Sequence, residues 1–255
     1  MEYLLVCSVA LAASCLTFFS GFGLGTLLLP AFAVFFPVPS AIAMTALVHL
    51  ANNLFKLALA GRHADPKTVL RFGITAVPAA FLGAWWLNHL EFLPPLFQYT
   101  LAGSAHSVTP VNLCIALLLA VFAVLEILPS FADLALPPQY LPVGGALSGF
   151  FGGLSGQQGA LRSAFLLRAG LSRQAYIGTG IALACLVDLT RIPLYAKHFA
   201  VAGSNSALLV AAVLSAWIGA FFGARLFHKA TYRSLQILVA ALLIVLAALI
   251  GSGIL

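Results

Sequence analysis

Six stretches of this sequence, at about 40–60, 69–90, 110–128, 173–195, 205–227 and 234–252, are apolar over the ~20 residues a helix needs to cross a bilayer. Inside a bilayer every backbone N–H and C=O must be bonded within the protein, so a chain of such runs is confined to spanning helices. Composition removes the soluble alternative. Only 7% of the residues are charged and 62% are hydrophobic, against about 25% charged in an ordinary soluble domain. A soluble enzyme, a nucleic-acid binder and a disordered tail are all excluded on that ground. The N-terminal run has Glu2 as its only charge and no basic region before it, so a cleaved signal peptide is not expected.

Two further apolar stretches are interrupted. Residues 3–36 contain Ser20-Gly21-Phe22-Gly23-Leu24-Gly25, and residues 141–169 contain Gly152-Gly153-Leu154-Ser155-Gly156-Gln157-Gln158-Gly159. Each glycine costs a helix about 1 kcal/mol, so these stretches are expected to break. In the second stretch the arms on either side are about 11 residues long, or ~16 Å, which reaches the middle of a membrane. Basic residues choose between a crossing and a hairpin. Arg225, Lys229 and Arg233 place their loop inside, because cytoplasmic loops carry the Lys/Arg excess. Counting back, a crossing at 141–169 would put Arg62, Lys67 and Arg71 outside, and a re-entrant hairpin puts them inside. The hairpin is therefore predicted, with the Pro37–Pro39 turn and the loop 91–109 external.

The halves share a pattern. Phe19-Ser20-Gly21 aligns with Phe151-Gly152-Gly153, and Ala79-Ala80-Phe81-Leu82-Gly83-Ala84 with Gly219-Ala220-Phe221-Phe222-Gly223-Ala224. The expected fold is an all-α integral membrane protein of two inverted-topology repeats, each a broken hairpin followed by three transmembrane helices. The N-terminal repeat covers 1–128, a connecting loop 129–140 and the C-terminal repeat 141–255. Three spans is an odd number, so the second half enters the membrane upside down. Paired glycine-broken segments in two inverted halves point to a transporter's binding site.

The block Gly21-Phe22-Gly23-Leu24-Gly25-Thr26-Leu27-Leu28-Leu29-Pro30 resembles the start of the TauE/SafE-type sulfite exporter family. Gly149-Phe150-Phe151-Gly152-Gly153-Leu154-Ser155-Gly156 is similar to that family's second motif, and the resemblance extends over essentially the whole chain. It departs at Gln157-Gln158 and Arg162, where the family pattern has an acidic or glycine-only turn. The resemblance implies export of a small sulfur oxyanion or organosulfonate, sulfite by default, across the cell inner membrane.

An anion in a low-dielectric slab needs donors and positive potential, which half-helix N-termini supply through unpaired N–H groups and the helix dipole. The candidate substrate-binding residues are therefore Gly21, Gly23, Gly25 and Thr26 at the first tip. At the second they are Gly153, Ser155, Gly156, Gln157 and Gln158. The competing reading is that the glycines let the tips pack closely. Arg162, a turn past the second tip, offers a planar donor fork for oxyanions, or else pairs with Asp188 or snorkels. Asn52 and Asn53 on the second span join the substrate set. Lys56, four residues from Asn52, either binds or snorkels.

Asp188 and Arg191 are three apart and pair, or Asp188 carries a coupling proton. His49 titrates, or is hydrogen-bonded packing. Lys56, Asp188, Arg191 and His49 are the coupling or gating candidates. His198 and the other loop histidines carry no message, and Trp85, Trp86 and Trp217 suit interfacial anchoring. The cysteines Cys7, Cys15, Cys114 and Cys185 sit in apolar runs without a metal-binding or disulfide spacing. No metal and no cofactor are expected, and no catalytic motif is present. The expected function is secondary transport by alternating access through a central site, with protons as the coupling ion. An anion channel with the same site is the alternative, ahead of an intramembrane enzyme. The expected partners are the anion and the lipid bilayer.

Overall fold

A computed structural model describes residues 1–16, 24–101, 103–128, 134–226 and 233–255. The first broken stretch gives helices α1 (Glu2–Leu16) and α2 (Leu24–Ala33), followed by α3 (Val38–Ala60) and α4 (Pro66–Glu91). Strands β1 (Phe97–Leu101) and β2 (Ser104–Val108) precede α5 (Pro110–Ile127). The second broken stretch gives α6 (Leu141–Ser155) and α7 (Gly159–Leu166). After these come α8 (Arg173–Arg191), α9 (Phe199–Ser204), α10 (Ser206–Leu226) and α11 (Arg233–Gly251). Helix starts follow local chemistry. Asp65, Thr109 and Ser172 accept hydrogen bonds from the N–H groups of Thr68, Asn112 and Ala175, and Pro66 and Pro110 open their helices. The bonds from Thr68 hold the Asp65 carboxyl below its ordinary value.

Segments Val38–His63, Pro66–Glu91, Arg173–Ser204 and Ser206–Arg225 are long and apolar enough to cross a membrane. α5 and α11, with 18 and 19 residues, occupy the other two expected spans. Loop 91–109 is more ordered than expected. Its antiparallel hairpin pairs Tyr99 with His106 and turns through Gly103 at φ +84°. The hairpin is pinned to the chain's last residues, with Tyr99 donating to the Ser252 carbonyl at 2.8 Å. Nearby, Asn112 Nδ2 donates to the Leu255 carbonyl at 3.4 Å.

The second break corrects the expected geometry. Its arms are 15 and 8 residues, not equal, and the helix runs on through Gly152 and Gly153 to stop only at Gly156. Gly145, Gly149 and Gly153 recur every four residues, so they share one face of α6. A side chain on any of them would overlap the backbone of Phe72, Ala76 or Ala80 on α4. These glycines are kept for close approach of two helices, which offsets their poor helix propensity. Only Gly156, at φ +84°, is a true stop, because an L side chain rarely adopts that backbone.

The same device recurs between α1 and α10, where Gly219 and Gly223 lie against the backbone of Leu11 and Cys15. Both pairs run parallel. Gly149→Val is expected to lower stability by about 1–3 kcal/mol through overpacking, read as a fall in the thermal midpoint in detergent. Gly203, with open space around it, provides the control, since Gly203→Ala leaves that midpoint in place.

Candidate functional site

The first turn of α2 lies against the turn that ends α6. A side chain on Gly25, in the first turn of α2, would come within 3.3 Å of the Gly156 carbonyl oxygen. It would also lie 3.8 Å from His49 and from Thr45, both on α3. A side chain on Gly156 would come within 2.8 Å of Arg191 Nη1, at the end of α8. Gly25, Gly156, Thr45, His49 and Arg191 thus surround one point, although they come from four separate segments. Thr26 lies in the same turn of α2 and is buried. Gly21 and Gly23 lie outside the described residues.

Arg191 and Asp188 are fully buried together. Arg191 Nε donates to Asp188 Oδ1 at 2.9 Å, and Nη2 stands 2.8 Å from the same oxygen. The other carboxylate oxygen, Oδ2, lies 2.6 Å from His49 Nδ1. Asn53 Nδ2 lies 3.1 and 3.3 Å from the two ring nitrogens of His49. Tyr195, also fully buried, donates its hydroxyl to the Gly153 carbonyl and holds its ring 6.0 Å from the Arg191 guanidinium carbon. One carboxylate therefore anchors a cation and an imidazole, and fixes both beside the tips.

Around that point several buried polar atoms have no hydrogen-bond partner: Arg191 Nη1, Thr45 Oγ1, both amide atoms of Gln157, and Gln158 Nε2. Buried polar groups in folded proteins are nearly always bonded, so such a concentration calls for an explanation. Backbone donors add to it. No side chain caps α7, so the N–H groups of its first turn lack helical partners.

The remaining sequence candidates divide. Arg162, half-buried on α7, donates to Gln158 Oε1 at 3.2 Å and lies beside Gly180 of α8. Asn52 faces α1 and α10, donating to Ser14 Oγ at 3.0 Å and the Ala216 carbonyl at 3.2 Å. It accepts from Lys56 Nζ at 3.3 Å, so this buried lysine stands next to Asn52. Gly153 is engaged with α4 and with Tyr195, and Ser155 Oγ donates to the Phe151 carbonyl at 3.1 Å.

Sequence reasoning passed over Thr45 and Tyr195. A signal for the first was present, because Thr45, His49 and Asn53 recur every four residues and form a polar stripe on an apolar helix. His198, read as silent, lies 3.1 Å from Glu91 Oε1, while Lys197 lies 2.7 Å from Oε2. Trp217 stands in mid-helix and donates to the Ala51 carbonyl at 3.1 Å, away from the span ends expected of an anchor. A separate cavity of about 560 Å³ opens beside Pro37, Glu91, Asn112 and Leu255 and touches none of the tip residues. Among the described residues no group of three or more His, Cys, Asp or Glu side chains converges to hold a metal ion.

No curated protein and no solved structure matches the chain. The family model for the sulfite exporter TauE/SafE matches residues 6–250, from within α1 into the last turn of α11, and so takes in both breaks and every residue around them. This multi-pass membrane protein accordingly belongs to the TauE/SafE family of sulfite exporters, whose members are transporters.

Proposed function

We propose that the protein exports a small sulfur oxyanion, sulfite or an organosulfonate, across the cell inner membrane by proton-coupled alternating access. The anion sits where the two half-helix tips meet. One observation carries this reading: Arg191 Nη1 is fully buried, has no acceptor, and points at the αL turn of Gly156. An oxyanion placed there accepts from Nη1, from the unpaired amide N–H groups of Gln157 and Gln158, and from Thr45. Lys56 and Arg162, on neighbouring elements, raise the positive potential along the approach. Donors that serve a substrate also explain why so many buried polar atoms lack protein partners.

The helix pairing supports two inverted halves, 1–128 and 141–255. Aligned across the halves, α1 corresponds to α6 and α4 to α10. α1 packs on α10 as α6 packs on α4, so each hairpin rests on the other half. A site between two such units is reached from either side when the units rock about it.

Sulfite flux into proteoliposomes tests the reading. It is expected to saturate and to show counterflow; Gln158→Ala should lower it by about tenfold through the loss of one charge-assisted bond, and Arg162→Ala by about tenfold through the lost positive potential and the freed Gln158 side chain. Linear flux without counterflow would mark a channel. Flux indifferent to both substitutions would move the site elsewhere. Gln157→Leu separates binding from packing. Removing an unbonded buried amide should raise thermal stability in detergent, by about 1 kcal/mol, while flux falls. A merely structural glutamine would lose stability instead.

A further inference from the structure

The charge at the tips is small and can be counted. Among the described residues Asp188 is the one fully buried carboxylate, and it is balanced by Arg191. His49 fits the network as the neutral tautomer, with Nδ1–H donating to Asp188 Oδ2 and Nε2 accepting from Asn53 Nδ2. The Asp188–Arg191–His49 network then has no net charge of its own, and Arg162 is a fixed cation outside it, half-buried a turn past the tip and bonded to Gln158 Oε1. A monoanion on Arg191 Nη1 adds one negative charge where water is excluded, and an uncompensated buried charge is strongly unfavourable.

The groups facing His49 leave few ways to compensate. On its own helix the nearest polar side chain is Asn53, and Lys56 lies seven residues on, about 10 Å along the axis and bonded to Asn52. α8 brings Asp188 and Arg191, and α7, past the Gly156 turn, brings Arg162, which is half-buried, bonded to Gln158 Oε1 and charged in every state. α2 and α9 bring no ionisable side chain. The turn after α8 brings Tyr195, which donates to Gly153, while Lys197 and His198 pair with Glu91. The turn after α3 carries Arg62 and His63, bonded to each other, and on α10 Arg225 sits over Phe221. The group in direct contact with the Asp188–Arg191 pair that can gain a positive charge is the imidazole.

Building on the anion site at Arg191, we propose that His49 takes up one proton for each monoanion bound, so that the two cross together with no net charge. The proton enters from water on the open side and adds to Nε2. Asn53 turns its amide to present Oδ1 to the new N–H. On the other side the anion leaves Arg191 and the proton returns to water, which restores the neutral ring. Nothing is oxidised or reduced, and Asp188 stays ionised throughout as the shared acceptor. The membrane potential then has no hold on transport, and the anion leaves the cell down its own gradient.

Proteoliposomes with a pH-sensitive dye inside and a gradient of methanesulfonate test this, with sulfite as a second anion. Methanesulfonate carries one fixed charge and no titratable proton, so every proton counted belongs to the protein. The wild type should move one proton with each anion, in the same direction. A potassium–valinomycin potential of either sign should leave its rate within about twofold. In His49→Gln the side chain still donates to Asp188 but cannot take the proton. Flux should fall about tenfold or more, and the remainder should respond to potential and carry no proton. Wild-type flux that responds to potential, moves no proton, or moves it against the anion overturns the coupling and leaves the anion site standing. Absence of flux with both anions overturns the anion site and the coupling with it. The wild-type arm decides the matter even where His49→Gln fails to fold.

Discussion

Arg191→Lys is expected to cut sulfite flux about 30- to 1,000-fold, the equivalent of roughly 2–4 kcal/mol for losing a buried charged donor. Lysine keeps the positive charge and can still pair with Asp188, so the neutral balance of the core survives. It cannot keep the fork. Arg191 gives Nε to Asp188 and directs Nη1 towards Gly156, two directions held apart by one rigid plane. An ammonium group satisfies one of those directions and abandons the other. The measurement is concentration-dependent flux in proteoliposomes, with the thermal midpoint in detergent as the check on folding. A midpoint near wild type with lost flux supports the anion role. Flux within twofold of wild type in a folded Arg191→Lys protein would remove Arg191 from the binding site.

Asp188→Leu should be the most destabilising single change near the site, at about 3–5 kcal/mol, because it leaves a buried guanidinium without its counter-charge. His49 loses its acceptor in the same step. The expected readout is loss of monodisperse protein in detergent, or a large drop in thermal midpoint. The double variant Asp188→Leu, Arg191→Met removes both charges and should regain most of the stability, since an apolar pair of similar volume tolerates burial. It should not regain transport. An Asp188→Leu protein as stable as the wild type would show that Arg191 finds its balance elsewhere.

Much of the architecture was legible because membrane helices announce themselves by length. The runs near 40–60, 69–90 and 205–227 became α3, α4 and α10 with ends moved by a few residues. The glycines were harder. Their number suggested a break across 152–159, but sequence does not tell whether a glycine stops a helix or lets a neighbour in. Gly149 and Gly153 admit α4, and Gly156 alone turns the chain. That ambiguity set the expected arm of α6 too short. The partnership of His49 with Asp188 joins residues 139 positions apart. Spacing rules work within one helix and have no purchase on such a contact. The Thr45–His49–Asn53 stripe obeys those rules and was open to view. The 97–108 hairpin consists of two five-residue strands that are mostly exposed, so no buried face marks it in the sequence.

The exchange of partners between α1 and α10 sets a schedule for synthesis. α1 leaves the ribosome roughly 200 residues before the helix whose glycines receive it, at ~5–20 residues per second about 10–40 s of waiting. Until then the face of α1 that Gly219 and Gly223 receive has no partner. α6 has no such delay, because α4 is already in place when it appears. The nascent chain therefore assembles from its second hairpin backwards. An insertase or chaperone that shelters α1 in the interval would govern the yield of folded protein more than any residue around Gly156.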